Sequence, residues 1–305
     1  MLLRNLKLFT WRQFSGKPIR LAMTYMVKNE IDIIESNIRF HAAKGVDCFV
    51  AIDNGSTDGT LEKLQALASE FDLHVISRPI TDYRQSDWRT EMALIAREDM
   101  QADWVISNDA DEFWLPKEGQ DLKTGLTRSK SIVHCPRYDM QLDCHSEGKP
   151  FYERVYRTLF PIDYGKGTEL KQDNMSVQLS KIHGKVMVNL QGFLRAKGGN
   201  HRAWHLWSKL NYAESDSVEV FHYAIGSRHH FETHVENRKP LLKIGARMGN
   251  HYRRWVRMSE EGRLDEEWKR LVLDDEAIQV LTKYGVVVKD DRARDAIKAV
   301  LADNG

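Results

Sequence analysis

An apolar run, Trp104-Val105-Ile106-Ser107, breaks off into Asn108-Asp109-Ala110-Asp111-Glu112 and then resumes with Phe113 and Trp114. On an extended backbone Asp109 and Asp111 point the same way, about 7 Å apart along the chain at roughly 3.4 Å per residue. Where the strand relaxes into a loop, such a pair can grip one hard divalent cation, directly and through water, and leave coordination positions for phosphate oxygens. A solvated acidic turn capping the next element has the same D-x-D pattern, and for a bare pair that plain reading is the better one. The buried strand before the pair and the bulky aromatics after it favour a site, because in open α/β sheets ligands bind beyond the carboxyl ends of the strands.

The elements that must position this pair alternate in type. Ile19 to Val27 reads as a first buried strand, followed by Lys28-Asn29-Glu30 and a helical pattern through Ile31, Ile34, Ile38 and His41 to a C-cap at Gly45. Val46 to Ile52 reads as a second strand, ending in Asp53-Asn54-Gly55-Ser56-Thr57-Asp58-Gly59-Thr60. That run makes a tight turn, and Ser56 or Thr57 can N-cap the helix that carries Leu61, Leu64, Leu67 and Ala68. Leu73 to Ser77 is a third strand, and Asp87 to Met100 a third helix leading into the acidic strand. Such alternation predicts a mostly parallel sheet with helices on both faces.

Composition narrows the function classes. The 305 residues are 42% hydrophobic, enough for a substantial core. Lys and Arg number 45 against 44 Asp and Glu, a net charge of +1, so nucleic acid is not an expected partner. Cys48, Cys135 and Cys144 are odd in number and lack C-x-x-C spacing, which argues against a disulfide framework or a zinc ribbon and for a reducing, cytoplasmic compartment. No apolar run reaches the roughly 18 residues a membrane helix needs. Residues 1–18 form a basic amphipathic segment that can pack on its own domain, fray, or lie on an anionic membrane surface, which admits peripheral contact at the inner face.

Three stretches together, Met26-Val27-Lys28-Asn29-Glu30, Ile52 to Thr60 and Asp109-Ala110-Asp111-Glu112-Phe113, resemble the signature segments of family-2-like nucleotide-sugar glycosyltransferases with the GT-A fold, in the D-A-D-E-F branch. Val220-Phe221-His222-Tyr223 resembles a later His-Tyr segment of the same branch. The resemblance implies a GT-A glycosyltransferase domain over residues 19–240, with a nucleotide-binding half at 19–116 and an acceptor half at 117–240, and leaves 241–305 as a helical C-terminal extension. It implies Mn2+ or Mg2+ as cofactor, with Asp109 and Asp111 serving the ribose-diphosphate and its metal and Asp111 the direct ligand. It places the backbone of Tyr25 to Val27 near the base, Glu30 near the ribose, Asp53 or Asn54 at the uracil edge, Ala110 within the donor site, and Arg84 or Arg89 on the diphosphate. Many members carry two adjacent Asp residues where this chain has Asp53-Asn54, which leaves the base identity open. His222 can complete the metal shell or serve as a core histidine, and His201 is a weaker candidate. His201 and His205, like His230 and His234, have a helical i, i+4 spacing that can bind zinc, although without an adjacent carboxylate motif they read as surface or core residues.

The chemistry expected is transfer of a sugar from a nucleotide donor, uridine-linked by resemblance, to a glycan or glycolipid acceptor in surface-polysaccharide or lipopolysaccharide assembly. An inverting reaction needs a carboxylate to deprotonate the acceptor hydroxyl, and Asp143, Glu153, Asp163 and Asp173 are all candidates. Beyond His230 the sequence turns helical, and His251 to Arg257 either packs on the catalytic domain or meets a phosphate-bearing acceptor. The alternatives are a nucleotide-sugar-binding protein without turnover and a sugar-phosphate nucleotidyltransferase. The second normally has a Gly-rich phosphate loop after the first strand, and Thr24 to Glu30 contains no glycine.

Overall fold

The computed structural model describes residues 16–79, 85–163, 176–197, 201–207, 211–243, 245 and 249–303. In chain order the strands are β1 (Leu21–Val27), β2 (Cys48–Asp53), β3 (Leu73–Ser77), β4 (Trp104–Asn108), β5 (Glu112–Pro116), β6 (Ile132–Cys135) and β7 (Arg137–Asp139). They continue as β8 (Tyr156–Thr158), β9 (Lys185–Asn189), β10 (Phe193–Ala196), β11 (Ala203–His205), β12 (Tyr212–Glu214), β13 (Val218–His222) and β14 (Val287–Lys289). The helices are α1 (Ile34–Ala43), α2 (Thr60–Leu67), α3 (Gln85–Glu98), α4 (Arg228–Lys243), α5 (Asn250–Glu260), α6 (Leu264–Leu271), α7 (Asp275–Lys283) and α8 (Arg292–Ala302). The described residues fall into two compact units, one drawn from Met1–Arg137, His183–Val220 and Val300–Gly305, the other from Tyr138–Ile182 and Phe221–Ala299.

The first unit is organised on a sheet of order β12-β6-β9-β4-β1-β2-β3. β1 pairs in parallel with β2 and β4, β2 with β3, and β6 with β12, while β9 runs antiparallel to β4 and β6. The sheet is thus mixed and mostly parallel, as the alternation of strands and helices predicts. Because successive strand residues face opposite sides, Ala22, Cys48, Val50, Ile52 and Val105 present one apolar face, and Trp88, Met92, Ala93 and Ala96 of α3 pack on it. On the other face Tyr25 stacks on Phe49 with ring centroids 6.3 Å apart and donates its hydroxyl to Asn37 Oδ1 of α1 at 2.8 Å. In the parallel register Val27 lies opposite Asp53 and Tyr25 opposite Asn108, so β1, β2 and β4 bring their carboxyl ends to one edge.

One local expectation fails. Neither Ser56 nor Thr57 caps α2, which starts at Thr60 behind Gly59 (φ 96°) without a side-chain cap. Gly59 supplies the left-handed backbone the turn requires, and Ser56 is used elsewhere.

In the second unit Phe231 and Val235 of α4, Trp255 and Val256 of α5 and Trp268 and Leu271 of α6 form an apolar cluster. Glu267, fully buried, accepts from Trp255 Nε1 at 2.8 Å and Arg270 Nη1 at 2.6 Å, and it pairs with the buried Arg254. Arg254 therefore ties α5 to α6 and does not face solvent, so within the basic 251–257 stretch this arginine is an internal anchor. β8 and β14 pair antiparallel. No described helix is long and apolar enough to cross a membrane.

Candidate functional site

The edge where β1, β2 and β4 end carries two loops locked side by side. Asn29, after β1, adopts φ 58°, a left-handed conformation that Asn tolerates better than most residues. Its amide donates to Ser56 Oγ at 2.9 Å, and its Oδ1 accepts from Thr57 N at 2.8 Å. Glu30 N donates to Thr60 Oγ1 at 2.8 Å and Ile31 N to Asp58 Oδ2 at 3.1 Å. The polar residues of the 53–60 run thus tie the second loop to the first. Asp53, 1% exposed, closes its own turn by accepting from Gly55 N at 3.0 Å and Ser56 N at 3.1 Å on Oδ2. Its Oδ1 is buried and has no hydrogen-bond partner among the described residues.

The acidic loop after β4 is held from beneath by a buried polar knot. Asn37 Nδ2 donates to the carbonyls of Ala110 at 2.8 Å and Glu112 at 2.9 Å. Asn108 Nδ2 donates to Asn37 Oδ1 at 3.1 Å, and Asn108 Oδ1 accepts from Trp114 Nε1 at 2.8 Å. Trp114 N donates to His41 Nε2 at 3.0 Å, which fixes the tautomer, so His41 Nδ1 donates to the Asn37 carbonyl at 2.8 Å. Burial pushes the His41 imidazole down to about 3, so it stays neutral. The polar groups of this knot find partners within it, in a buried setting where a partly satisfied network would be costly.

Above the knot sits a charge cluster. Arg89 of α3, 2% exposed, donates Nη2 to Asp109 Oδ1 at 2.9 Å. Lys185, the first residue of β9 and 1% exposed, reaches Asp109 Oδ2 at 2.8 Å and Glu112 Oε1 at 2.9 Å. Arg137 Nη1 donates to the same Glu112 Oε1 at 2.6 Å. Burial opposes the charge on Asp109, but Lys185 and then Arg89 more than offset it and hold the carboxyl well below the usual range. Gly184 allows Lys185 to arrive here, since a side chain at 184 would collide with the Cys135 carbonyl and the His134 ring. Asp111 follows in the turn before β5, half-buried. Asp109 has its two oxygens engaged by Arg89 and Lys185. Among the described residues neither belongs to a close-set trio of potential ligands.

The sequence profile of glycosyl transferase family 2 matches residues 27–184, the span that holds both loops, the acidic turn and the approach to Lys185. The chain belongs to glycosyl transferase family 2. No curated protein matches it in sequence. Among solved structures it is similar to residues 1–349 of TarS from S. aureus, with 11% identity, 76% of this chain and 67% of that one covered and a TM-score of 0.40. In the complex of that fragment with UDP the match is 13% identical and covers 56% of this chain and 47% of the other, with a TM-score of 0.35. Glucosyl-3-phosphoglycerate synthase from Mycobacterium tuberculosis, in complex with Mn2+, UDP and phosphoglyceric acid, matches at 15% identity over 76% of this chain and 80% of that chain, with a TM-score of 0.35.

In this family-2 chain the other expected residues have surroundings of their own. Tyr25 turns its side chain into the core, and Val27 gives its carbonyl to Asn54 N at 2.9 Å, so at β1 it is the backbone that borders the edge. Arg84 and Asp173 lie outside the described residues. His222 belongs to the second unit's stretch, where its Nδ1 is 2.5 Å from Asp139 Oδ1. Asp143 is 1% exposed, and both its carboxylate oxygens accept from Ser146 or His145 in its own turn. Glu153 is paired with Lys298 at 2.7 Å. The helical spacing of His201 and His205 proves irrelevant, because His205 lies in β11; their rings bond the carbonyls of Gly184 at 2.9 Å and Asn189 at 3.0 Å. His230 and His234 do lie on one helix, α4, with ring centroids 4.0 Å apart. Lys185, Asn37 and the roles of Glu112 and Arg137 escape sequence reading. The visible signal for Lys185 is a Gly-Lys pair opening the otherwise apolar run Val186-Met187-Val188.

Proposed function

We propose that this chain transfers a sugar from a nucleotide donor, uridine-linked, to a glycan or glycolipid acceptor used in surface-polysaccharide or lipopolysaccharide assembly. The observation that carries the reading is the shared edge of β1, β2 and β4, where a buried acceptor, Asp53 Oδ1, and the Asp109–Asp111 turn occur together. An unmet buried acceptor suits the N–H of a base edge, because an unpaired buried oxygen is costly until it is matched. The backbone at Val27, with Glu30 and Asn54, borders the nucleoside. The three cations Arg89, Lys185 and Arg137 offset the three carboxylates Asp109, Asp111 and Glu112, so the turn does not repel a diphosphate.

The donor set fits Mn2+ or Mg2+ bound through the Asp111 carboxylate together with diphosphate oxygens and water. When bound, the cation stabilises the charge that gathers on the departing diphosphate. In the reaction an acceptor hydroxyl oxygen bonds to the anomeric carbon, the bond from that carbon to the diphosphate oxygen breaks with its electron pair, and the hydroxyl proton passes to a carboxylate. Asp143, Glu153, Asp163 and Asp173 remain to be tested in that role.

The test is release of nucleoside diphosphate from a panel of uridine-, guanosine-, cytidine- and thymidine-linked sugars, with and without Mn2+. The reading expects Mn2+-dependent release from one nucleotide class, accelerated by an acceptor glycan or glycolipid. Consumption of a nucleoside triphosphate and a sugar phosphate instead would make the chain a nucleotidyltransferase, and binding without turnover would make it a nucleotide-sugar sensor.

A further inference from the structure

Of the three cysteines, Cys48 and Cys135 are buried and Cys144 is exposed. Cys144 is followed by His145 in a turn of the second unit, and Asp275 opens α7 in the same unit. The Cys144 sulfur, a His145 ring nitrogen and an Asp275 carboxylate oxygen all lie within 4.8 Å of one another. His145 Nε2 is 2.7 Å from Asp275 Oδ1, across 130 positions of chain. Both segments are anchored by their backbone. Leu273 N donates to the Leu142 carbonyl and Cys144 N to the Leu273 carbonyl, each at 2.9 Å, in a parallel bridge of Asp143 with Leu273. Asp143 Oδ1 shapes the turn by accepting from His145 N at 2.8 Å and Ser146 N at 3.1 Å. Asp274 Oδ1 accepts from Ala277 N at 2.8 Å and so caps α7 at the residue before Asp275. Three exposed side chains thus stand on a fixed base, which lowers the ordering cost of holding a ligand between them.

As a bare surface pair, 63% and 74% exposed, His145 and Asp275 contribute little to stability. The thiol beside them changes what the group can hold. Thiolate sulfur, imidazole nitrogen and carboxylate oxygen are the donors zinc takes, and bonds of about 2.0–2.3 Å in a tetrahedron space them roughly 3.3–3.8 Å apart. That spacing fits within the span observed here. Mg2+ and Mn2+ instead favour all-oxygen sets. We propose that Cys144, His145 and Asp275 bind one Zn2+ ion, with water in the fourth position, and that the ion clips the 143–147 turn to the start of α7. On binding, the thiol proton leaves to solvent and the imidazole coordinates as the neutral ring. The site lies wholly in the second unit and does not rest on the donor-site reading.

The experiment is a titration of the full chain with Co2+, which takes zinc sites and reports a bound thiolate by a near-ultraviolet charge-transfer band. Wild type should develop that band to saturation, keep it in excess Mg2+ and lose it to stoichiometric Zn2+. Because the other two thiols are buried, Cys144→Ser should abolish the band. His145→Gln and Asp275→Asn should each weaken Co2+ and Zn2+ binding by at least roughly 10-fold, the least that lost support of a metal site costs. All three positions are exposed, and circular dichroism checks that the variants fold. Wild type without the band overturns the proposal, and so does a band that survives in folded Cys144→Ser. Wild-type affinity in both His145→Gln and Asp275→Asn also overturns it, since the metal would then sit on the thiol alone.

Discussion

Asp53 divides its two oxygens between two tasks. One closes the 53–56 turn, and the other is buried without a partner among the described residues. Asp53→Asn keeps an oxygen for the turn but turns the second position into an N–H donor. Uridine diphosphate binding should then weaken by about 10- to 100-fold, the value of a hydrogen bond to a charged acceptor, while cytidine diphosphate, whose base edge accepts at the same place, should gain. Parallel calorimetric titrations check this, and unchanged preference would remove Asp53 from the base site. At this scale the sequence singles out candidates where one short segment carries the whole pattern, as with Asp53, Arg89 and the D-x-D pair. It misses Lys185 and Arg137, because their partners Asp109 and Glu112 are brought to them by strand pairing across 76 and 25 positions. It also misassigns Ser56, whose hydroxyl finds Asn29 across the loop before it can serve α2.

The element that positions the acidic turn is α1, through Asn37. Asn37→Ala would remove the side-chain donor to the Ala110 carbonyl and take one of two partners from the Glu112 carbonyl, the Tyr25 hydroxyl and the Asn108 amide. It should cost at least about 2 kcal/mol, since each unmatched buried polar group costs about 1–3 kcal/mol. Met92→Ala, in the apolar contact of α3 with the sheet, should cost about 2–5 kcal/mol through the cavity it leaves. Denaturant titrations measure both. The two should part company in turnover, with Asn37→Ala losing far more activity per kcal/mol than Met92→Ala; equal losses would reduce Asn37 to a core contact. The strands β1 to β4 and helices α1 to α3 are legible in the sequence because their apolar runs and helical spacing are strong. The polar knot is not, since Asn37, His41 and Asn108 sit at positions that in a linear reading are merely breaks in those patterns.

For the whole molecule, both units contain a histidine that burial keeps neutral: His41 in the first and His251 in the second are each pushed down to about 3. Above pH about 6.5 these imidazoles are neutral in the folded and the unfolded chain alike, and their effect is nil. As the pH falls below that value the unfolded chain takes up protons that the folded one refuses, so stability declines toward pH 3, by about 1.4 kcal/mol per pH unit for each histidine. Between pH 6.5 and pH 5 the loss from His41 alone should reach about 2 kcal/mol, in a window above the range where depressed carboxylates such as Asp109 titrate. Urea titrations at the two pH values check it, and a flat response would mean that these imidazoles are not neutral in the fold. The division into two units, with segments of 138–182 and 221–299 set apart from the rest, has no counterpart in the sequence, which lacks any linker rich in glycine, serine or proline. The donor site proposed at the shared strand edge is tested by calorimetric titration of wild type and Asp111→Ala with uridine diphosphate, each with Mn2+ and again with chelator. Wild type should bind with Mn2+ and lose at least roughly 10-fold in affinity with chelator, and a folded Asp111→Ala should bind equally weakly in both conditions. Binding by Asp111→Ala that matches wild type in Mn2+, or no nucleotide binding by wild type in either condition, would remove the donor site from this edge.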